Sequence, residues 1–232
     1  MRTIVFLYLL VAAPVWAGEP IRIAVAANFK PTLQKITEPF LANSGIVVTY
    51  SSASSGALTT QIINGAPYDI FFAADSETTK TILAAPGHEQ DQIFCYARGS
   101  LVLAGGNGKL SALANPNLSL AIANPATAPY GRAAREVLAR PEFSAGEGRK
   151  LVRGNSAAQA YQFWEGGSVK MALLPRALVL TGATPIPSDW HGPLDQHAIV
   201  LRQNASVDAY LHWLRSDAVR AQIIAAGYDP CP

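Results

Sequence analysis

The chain is poor in the side chains on which most catalytic and metal chemistry is built. Its 232 residues include two cysteines, two methionines and four histidines, and only 15% are charged. The histidines, His88, His191, His197 and His212, fall at no metal-ligand spacing. No G-x-S-x-G turn surrounds any serine, so a hydrolase nucleophile lacks its usual local geometry. Gly105-Gly-Asn-Gly-Lys109 lacks full phosphate-loop spacing and has Leu110 where Ser or Thr should follow; it reads as a polar turn. Trp164, Trp190 and Trp213 have no basic residues interleaved among them, and the formal charge is only +2, so nucleic acid is not an expected partner. Beyond residue 17 no stretch is apolar enough to span a bilayer. These absences tell against an enzyme, a cation-binding protein and a membrane-spanning protein.

What remains is half hydrophobic, enough for a sizeable core in one large or two small domains. Residues 1–17 have the form of a secretory signal, with Arg2 as the positive n-region and Ile4 to Ala13 as a short apolar core. Val15-Trp16-Ala17 ends in a small residue, so cleavage is expected after Ala17, with no lipobox-like cysteine nearby. Removing Arg2 with the leader leaves a charge of +1. The mature protein is expected in the periplasm. In an exported chain an even cysteine count favours a Cys95–Cys231 bridge over two buried thiols, and a staple there would hold down the C-terminal tail.

Apolar β-type runs alternate with helical patterns. Strands are expected at 21–27, 46–50 and 68–74, followed by helices opening near Pro31, Ala57 and Asp75 or Ser76. Residues 93–103 read as extended and cross into a second lobe near 97–100. That lobe repeats the pattern, with strands at 118–123, 150–153 and 169–174 and helices at 131–140, 156–164 and 176–180. A strand at 197–201 returns the chain, and helices near 207–214 and 218–226 finish it. The fold class is therefore α/β, with two lobes, each a mostly parallel sheet flanked by helices. The first lobe takes residues 18–97 and 203–232, and the second takes 98–202, with hinges near 97–100 and 199–203.

Ligands of open α/β sheets bind beyond the carboxyl ends of the strands. The loops there hold Asn28-Phe29, Ser51 to Ser55, Asn124 to Gly131, Gly154-Asn-Ser-Ala157 and Pro175. They offer amides, hydroxyls, one phenol and helix N-termini, without Asp or Glu. Such a set donates hydrogen bonds and accepts few, which suits an anion that carries no proton. Taken alone, Ser54 or Ser55 reads first as a helix cap, and it is the recurrence of similar junctions along the chain that favours the anion reading. Lys30, Arg132 and Arg176 stand at helix starts and read as solvated.

At these junctions the sequence resembles the periplasmic molybdate-binding proteins of molybdate ABC transporters. The matching stretches are Val25-Ala-Ala-Asn-Phe29, Ser52-Ala-Ser-Ser-Gly-Ala-Leu58, Gly65-Ala-Pro-Tyr-Asp-Ile-Phe-Phe-Ala-Ala-Asp75 and Asn124-Pro-Ala-Thr-Ala-Pro-Tyr-Gly131. The resemblance implies a type II periplasmic binding fold that closes on molybdate or tungstate as a monomer, without a cofactor, and delivers it to a membrane permease. It implies oxyanion ligands at Asn28, Ser55, Tyr130 and Ala157, with Phe29, Ser54 and Pro175 as lesser candidates. Where many members have a donor Tyr, this chain has Pro175, which lacks both hydroxyl and N–H, and Tyr130 is the candidate replacement. Readings left open are the same fold with sulfate, a phosphonate or an organic acid, for which Arg132 or Arg176 could supply a fork, and a module that senses rather than transports.

Overall fold

The computed structural model describes residues 18–88 and 91–232, so the expected leader at 1–17 and its cleavage site lie outside it. The first element is β1 (Ile21–Ala26), an interior strand whose β-branched residues are buried. Helix α1 (Lys30–Ser44) follows. Pro31 sits in its first turn, Leu33, Ile36 and Phe40 face the core, and Gly45 ends it at φ +67°, a left-handed conformation that glycine adopts without a Cβ clash. Then come β2 (Val48–Ala53), α2 (Ser55–Ile63), β3 (Ile70–Phe72), α3 (Glu77–Leu83) and β4 (Gln92–Arg98). The second lobe contains β5 (Leu101–Gly105), β6 (Leu120–Ala123), α4 (Pro129–Leu138), β7 (Leu151–Gly154), α5 (Ala157–Glu165), β8 (Met171–Pro175) and β9 (Ala183–Pro185). Strand β10 (Asp195–Val200) and helices α6 (Ala205–Leu214) and α7 (Asp217–Ala225) complete the first.

Two five-stranded sheets result, in the orders β2-β1-β3-β10-β4 and β7-β6-β8-β5-β9. The β-α-β units give parallel neighbours, β1 with β2 and β3, and β6 with β7 and β8. The strands at or next to the crossings add antiparallel pairs: β10 with β3 and β4, and β5 with β8 and β9. Each sheet is therefore mixed, with its parallel part beside the facing loops.

Three boundaries differ from expectation. Strand β2 runs on through Ser51 and Ser52 to Ala53, because its register with β1 carries from Ile21↔Val48 to Ala26↔Ala53. An edge strand alternates exposed positions, so serines fit it as well as valines do. The short edge strand β9 was not anticipated; three residues with little apolar content leave no periodic signal. The return to the first sheet occurs at Asp195, ahead of the expected boundary at 203. Here β10 pairs with β4 from its first residue and with β3 from Ala198, and Arg98 Nε meets Asp195 at 2.5 Å. The second crossing thus spans 186–194 rather than 199–203, while the first stands at Gly99–Ser100. The Gly106–Gly108 segment is a tight turn with Asn107 at φ 54°, as expected of a polar turn.

The first lobe packs Phe29, Phe72, Tyr96 and Tyr228 into one aromatic cluster, with ring centroids 4.5–5.8 Å apart. Tyr228 reaches it from the C-terminal tail. That tail is held to the edge of β4 by reciprocal main-chain bonds between Arg98 and Asp229, both 2.8 Å, and by the Cys95–Cys231 disulfide, whose Cα atoms lie 6.1 Å apart.

The bridge joins residues 136 apart in sequence, so it constrains a large part of the unfolded chain. Replacing both cysteines by serine is expected to cost about 2–5 kcal/mol of stability. Denaturant unfolding of the two proteins measures this. Equal midpoints, or two alkylatable thiols in freshly exported protein, would contradict it.

Candidate functional site

The residues that follow β1 and β2 meet those that follow β6 and β7 across the gap between the sheets. A small cavity lies there. Asn28, Ser54, Ser55, Tyr130 and Ala157 line it together, and the remaining wall is alanine and Pro129. All five are at least nine-tenths buried, and no charged side chain lines the cavity.

Three helices open at this point, and the first turn of a helix has N–H groups without an intrahelical acceptor. Ser54 is the N-cap of α2, yet its hydroxyl makes no capping bond. The Ser55 hydroxyl accepts from the Ala74 N–H at 2.9 Å, which leaves its proton free for an acceptor in the cavity. The capping reading of both serines therefore fails. In α5 the cap is Ser156, which accepts from the Gln159 N–H at 3.3 Å. That bond satisfies the third N–H of the helix and leaves that of Ala157 at the cavity. In α4 Pro129 has no N–H to offer, so Tyr130 presents the first one.

Asn28 behaves differently from a side-chain donor. Its Nδ2 donates inward to Gln196 Oε1 at 3.0 Å and to Tyr228 Oη at 3.3 Å. Both amide hydrogens are committed, and the main-chain N–H is what Asn28 has left for the cavity. The Tyr130 phenol is buried and receives a bond from Gln196 Nε2 at 3.0 Å. Burial pushes its pKa well above the ordinary phenol range; nearby Tyr228 adds to the rise and the Gln196 bond opposes it. The hydroxyl thus stays protonated through neutral pH.

Phe29 and Pro175 are not among the lining residues. Phe29 points into the aromatic cluster, and Pro175 closes β8 opposite Leu101. Of the cations at helix starts, Arg132 departs from the solvated expectation, while the Arg176 side chain stays partly exposed to solvent. Arg132 pairs across the lobes with Asp75, a buried carboxylate whose other oxygen accepts from the Thr78 N–H and hydroxyl at 3.1 and 2.6 Å. Arg176 lies 3.7 Å from Asp229. Neither guanidinium is available as a fork in the cavity. Two residues of this neighbourhood escaped the sequence reading. Gln196 fell just outside the strand expected at 197–201, and Asp75 was read only as a cap.

The lobes are closed on each other. Besides the Arg132–Asp75 pair, the Gly56 N–H donates to the Thr127 carbonyl at 2.9 Å. Chemically the site is a small buried pocket of neutral donors at the positive ends of helix dipoles, suited to holding an anion, and its lining contains no nucleophile–base pair.

Residues 21–229 match the family model of bacterial extracellular solute-binding proteins. The molybdate-binding protein ModA of Azotobacter vinelandii is 34% identical over 94% of this chain and 93% of its own length. The chain belongs to the ModA family. A second member, from Rhodobacter capsulatus, is 34% identical over 94% of this chain and 90% of its own. The solved A. vinelandii periplasmic molybdate-binding protein matches with a TM-score of 0.79 at 30% identity, over 91% of this chain and all of that one. Both curated relatives are molybdate-binding proteins, within a family of extracellular solute-binding proteins.

Two substitutions probe the cavity. Ser55→Ala is expected to weaken oxyanion binding by about 1.5–3 kcal/mol, the loss of one bond to a charged partner, and Ser55→Asp to abolish it by setting a carboxylate against the anion. Calorimetric titration distinguishes these outcomes, and unchanged affinity in Ser55→Ala would remove the hydroxyl from the site. Gly56 meets the opposite lobe so closely that a Cβ there would lie 3.0 Å from the Thr127 carbonyl oxygen and 3.2 Å from its Cα. A Gly56→Val variant should therefore lose about 1–3 kcal/mol of binding through hindered closure while its ligand-free melting temperature holds. Wild-type affinity in that variant would refute the closed contact.

Proposed function

We propose that the protein captures molybdate or tungstate between its lobes in the periplasm, as a monomer released by cleavage after Ala17, and hands it to a membrane ABC permease. The observation that carries this reading is the convergence of unpaired donors on one buried cavity without a charged lining residue. The ligands would be the main-chain N–H groups of Asn28, Ser55, Tyr130 and Ala157, with the hydroxyls of Ser55 and Tyr130; Ser54 adds polar wall. Desolvating a dianion is costly, so several donors must act together. At about 1.5–3 kcal/mol for each bond to a charged group, six such bonds outweigh that cost and leave net affinity in the micromolar to nanomolar range.

The lobes would move as two bodies about the crossings at Gly99–Ser100 and 186–194, opening to admit the anion and closing to exclude water. Selectivity follows from two features. A hydrogen phosphate carries a proton that a donor-only cavity leaves unpaired, at a cost of about 1–3 kcal/mol. Sulfate has shorter bonds, and its oxygens would fall short of donors on both lobes at once. The commitment of Arg132 to Asp75, and the position of both Arg132 and Arg176 outside the cavity lining, speak against an organic acid held by a guanidinium fork.

Calorimetry with molybdate, tungstate, sulfate, phosphate and a small dicarboxylate tests the proposal. Molybdate and tungstate should bind with similar affinity, and the others at least about tenfold more weakly, as one unmade bond requires. Sulfate or a dicarboxylate binding as tightly as molybdate would overturn it.

A further inference from the structure

Behind the cavity runs a chain of buried hydrogen bonds whose direction is determined at one end. Tyr228 Oη donates to the main-chain carbonyl of Asn28 at 2.9 Å. Having used its only proton, that oxygen is an acceptor for Asn28 Nδ2 at 3.3 Å. The Asn28 amide is thereby oriented with its nitrogen inward, and its second hydrogen goes to Gln196 Oε1 at 3.0 Å. The Tyr96 hydroxyl lies 2.8 Å from the same oxygen. Gln196, wholly buried, must then turn its nitrogen to Tyr130, and Nε2 donates to Tyr130 Oη at 3.0 Å. The Tyr130 oxygen is an acceptor in this bond, so its proton has to go elsewhere, and no acceptor for it exists among the described residues. Gly99 makes room for the arrangement, since a Cβ there would collide with Oη.

We infer that Gln196 is a positioning residue for ligand recognition, holding the Tyr130 hydroxyl as a donor to the bound anion with a polarity set at Tyr228 and carried through Asn28. The inference rests on the oxyanion reading above and deepens it. A phenol can donate or accept, and next to an anion only the donor form is useful. A fixed amide nitrogen on its other side removes the alternative. Gln196 belongs to β10 of the first sheet and Tyr130 to α4 of the second, so the bond that orients the donor also spans the lobes.

The test is a double-mutant cycle in the full mature chain, read as molybdate affinity by calorimetry with melting temperatures taken alongside. Tyr130→Phe and Gln196→Leu should each lower affinity about 10- to 100-fold, and the double variant should be no weaker than Tyr130→Phe alone. Gln196→Glu keeps the size but offers Tyr130 an acceptor, so it should bind at least as weakly as Gln196→Leu; it also serves if the leucine variant does not fold. Tyr228→Phe removes the proton that orients Asn28, and should lose affinity about 3- to 10-fold although Tyr228 does not line the cavity. A merely structural Gln196 would lower the melting temperature and give losses additive with Tyr130→Phe. Additive losses, near-wild-type binding by folded Gln196→Glu, or unchanged affinity in Tyr130→Phe would overturn the inference. If the wild type binds another tetrahedral oxyanion in place of molybdate, the ligand assignment fails while the same cycle with that anion still decides the role of Gln196. A wild type that binds none of them overturns both.

Discussion

A helix leaves the N–H groups of its first turn without partners, and this chain brings three such turns, those of α2, α4 and α5, to one buried point. Unmet donors in a buried cavity are unfavourable without an acceptor and favourable around an anion. Much of the local sequence follows from keeping them unmet. Alanines line the wall and bring the backbone close. Ser54 does not cap its helix, and Ser55 uses its oxygen on Ala74, which keeps its proton available. Charged groups nearby are neutralised outside the cavity, as Arg132 is by Asp75, so the internal field comes from main-chain dipoles.

The topology supplies the convergence. Parallel β-α-β units point every strand's carboxyl end and the following helix's start to the same side. Two such units facing each other across a pair of short crossings produce a cavity with donors on both walls. The antiparallel strands β4, β5 and β10 carry or flank the crossings, and the Arg98–Asp195 pair ties the two strands of the first sheet at that point. Closure is then written into contacts that span the sheets: Gly56 with Thr127, Arg132 with Asp75, Gln196 with Tyr130. Gly56, Thr127, Arg132 and Asp75 each lie within a few positions of a lining residue, and Gln196 reaches the lining residue Tyr130 from β10.

The tail has a part in this beyond stability. The disulfide and the Arg98–Asp229 bridge seat Tyr228 within the first lobe's aromatic cluster, and Tyr228 orients the amide of Asn28. Residues 200 apart in the chain are thereby made immediate neighbours.

Hydrophobic periodicity locates eight extended runs, one of which the fold breaks at Gly99–Ser100 into β4 and β5, and all seven α-helices, while the helix expected at 176–180 is a single 3-10 turn at Arg176–Leu178; buried runs such as Ile21–Ala27 and Tyr68–Ala74 interrupt amphipathic stretches in a regular order. The residue types at the strand ends, small and donor-rich, marked the cavity wall at Asn28, Ser55, Tyr130 and Ala157 through the match to a known family. Local pattern could not decide which atoms face inward. The Asn28 side chain turned away, Phe29 entered the core, and Pro175 stayed in its strand, because those outcomes depend on partners more than 40 residues distant, among them Tyr228, Tyr96 and Leu101. The same reason hid Gln196, an unremarked amide in sequence and the link between two lobes in space. Register at an edge, the point at which β10 rejoins its sheet, and the direction of a buried hydrogen-bond chain are properties of pairs and triples of residues, and only the folded arrangement specifies them.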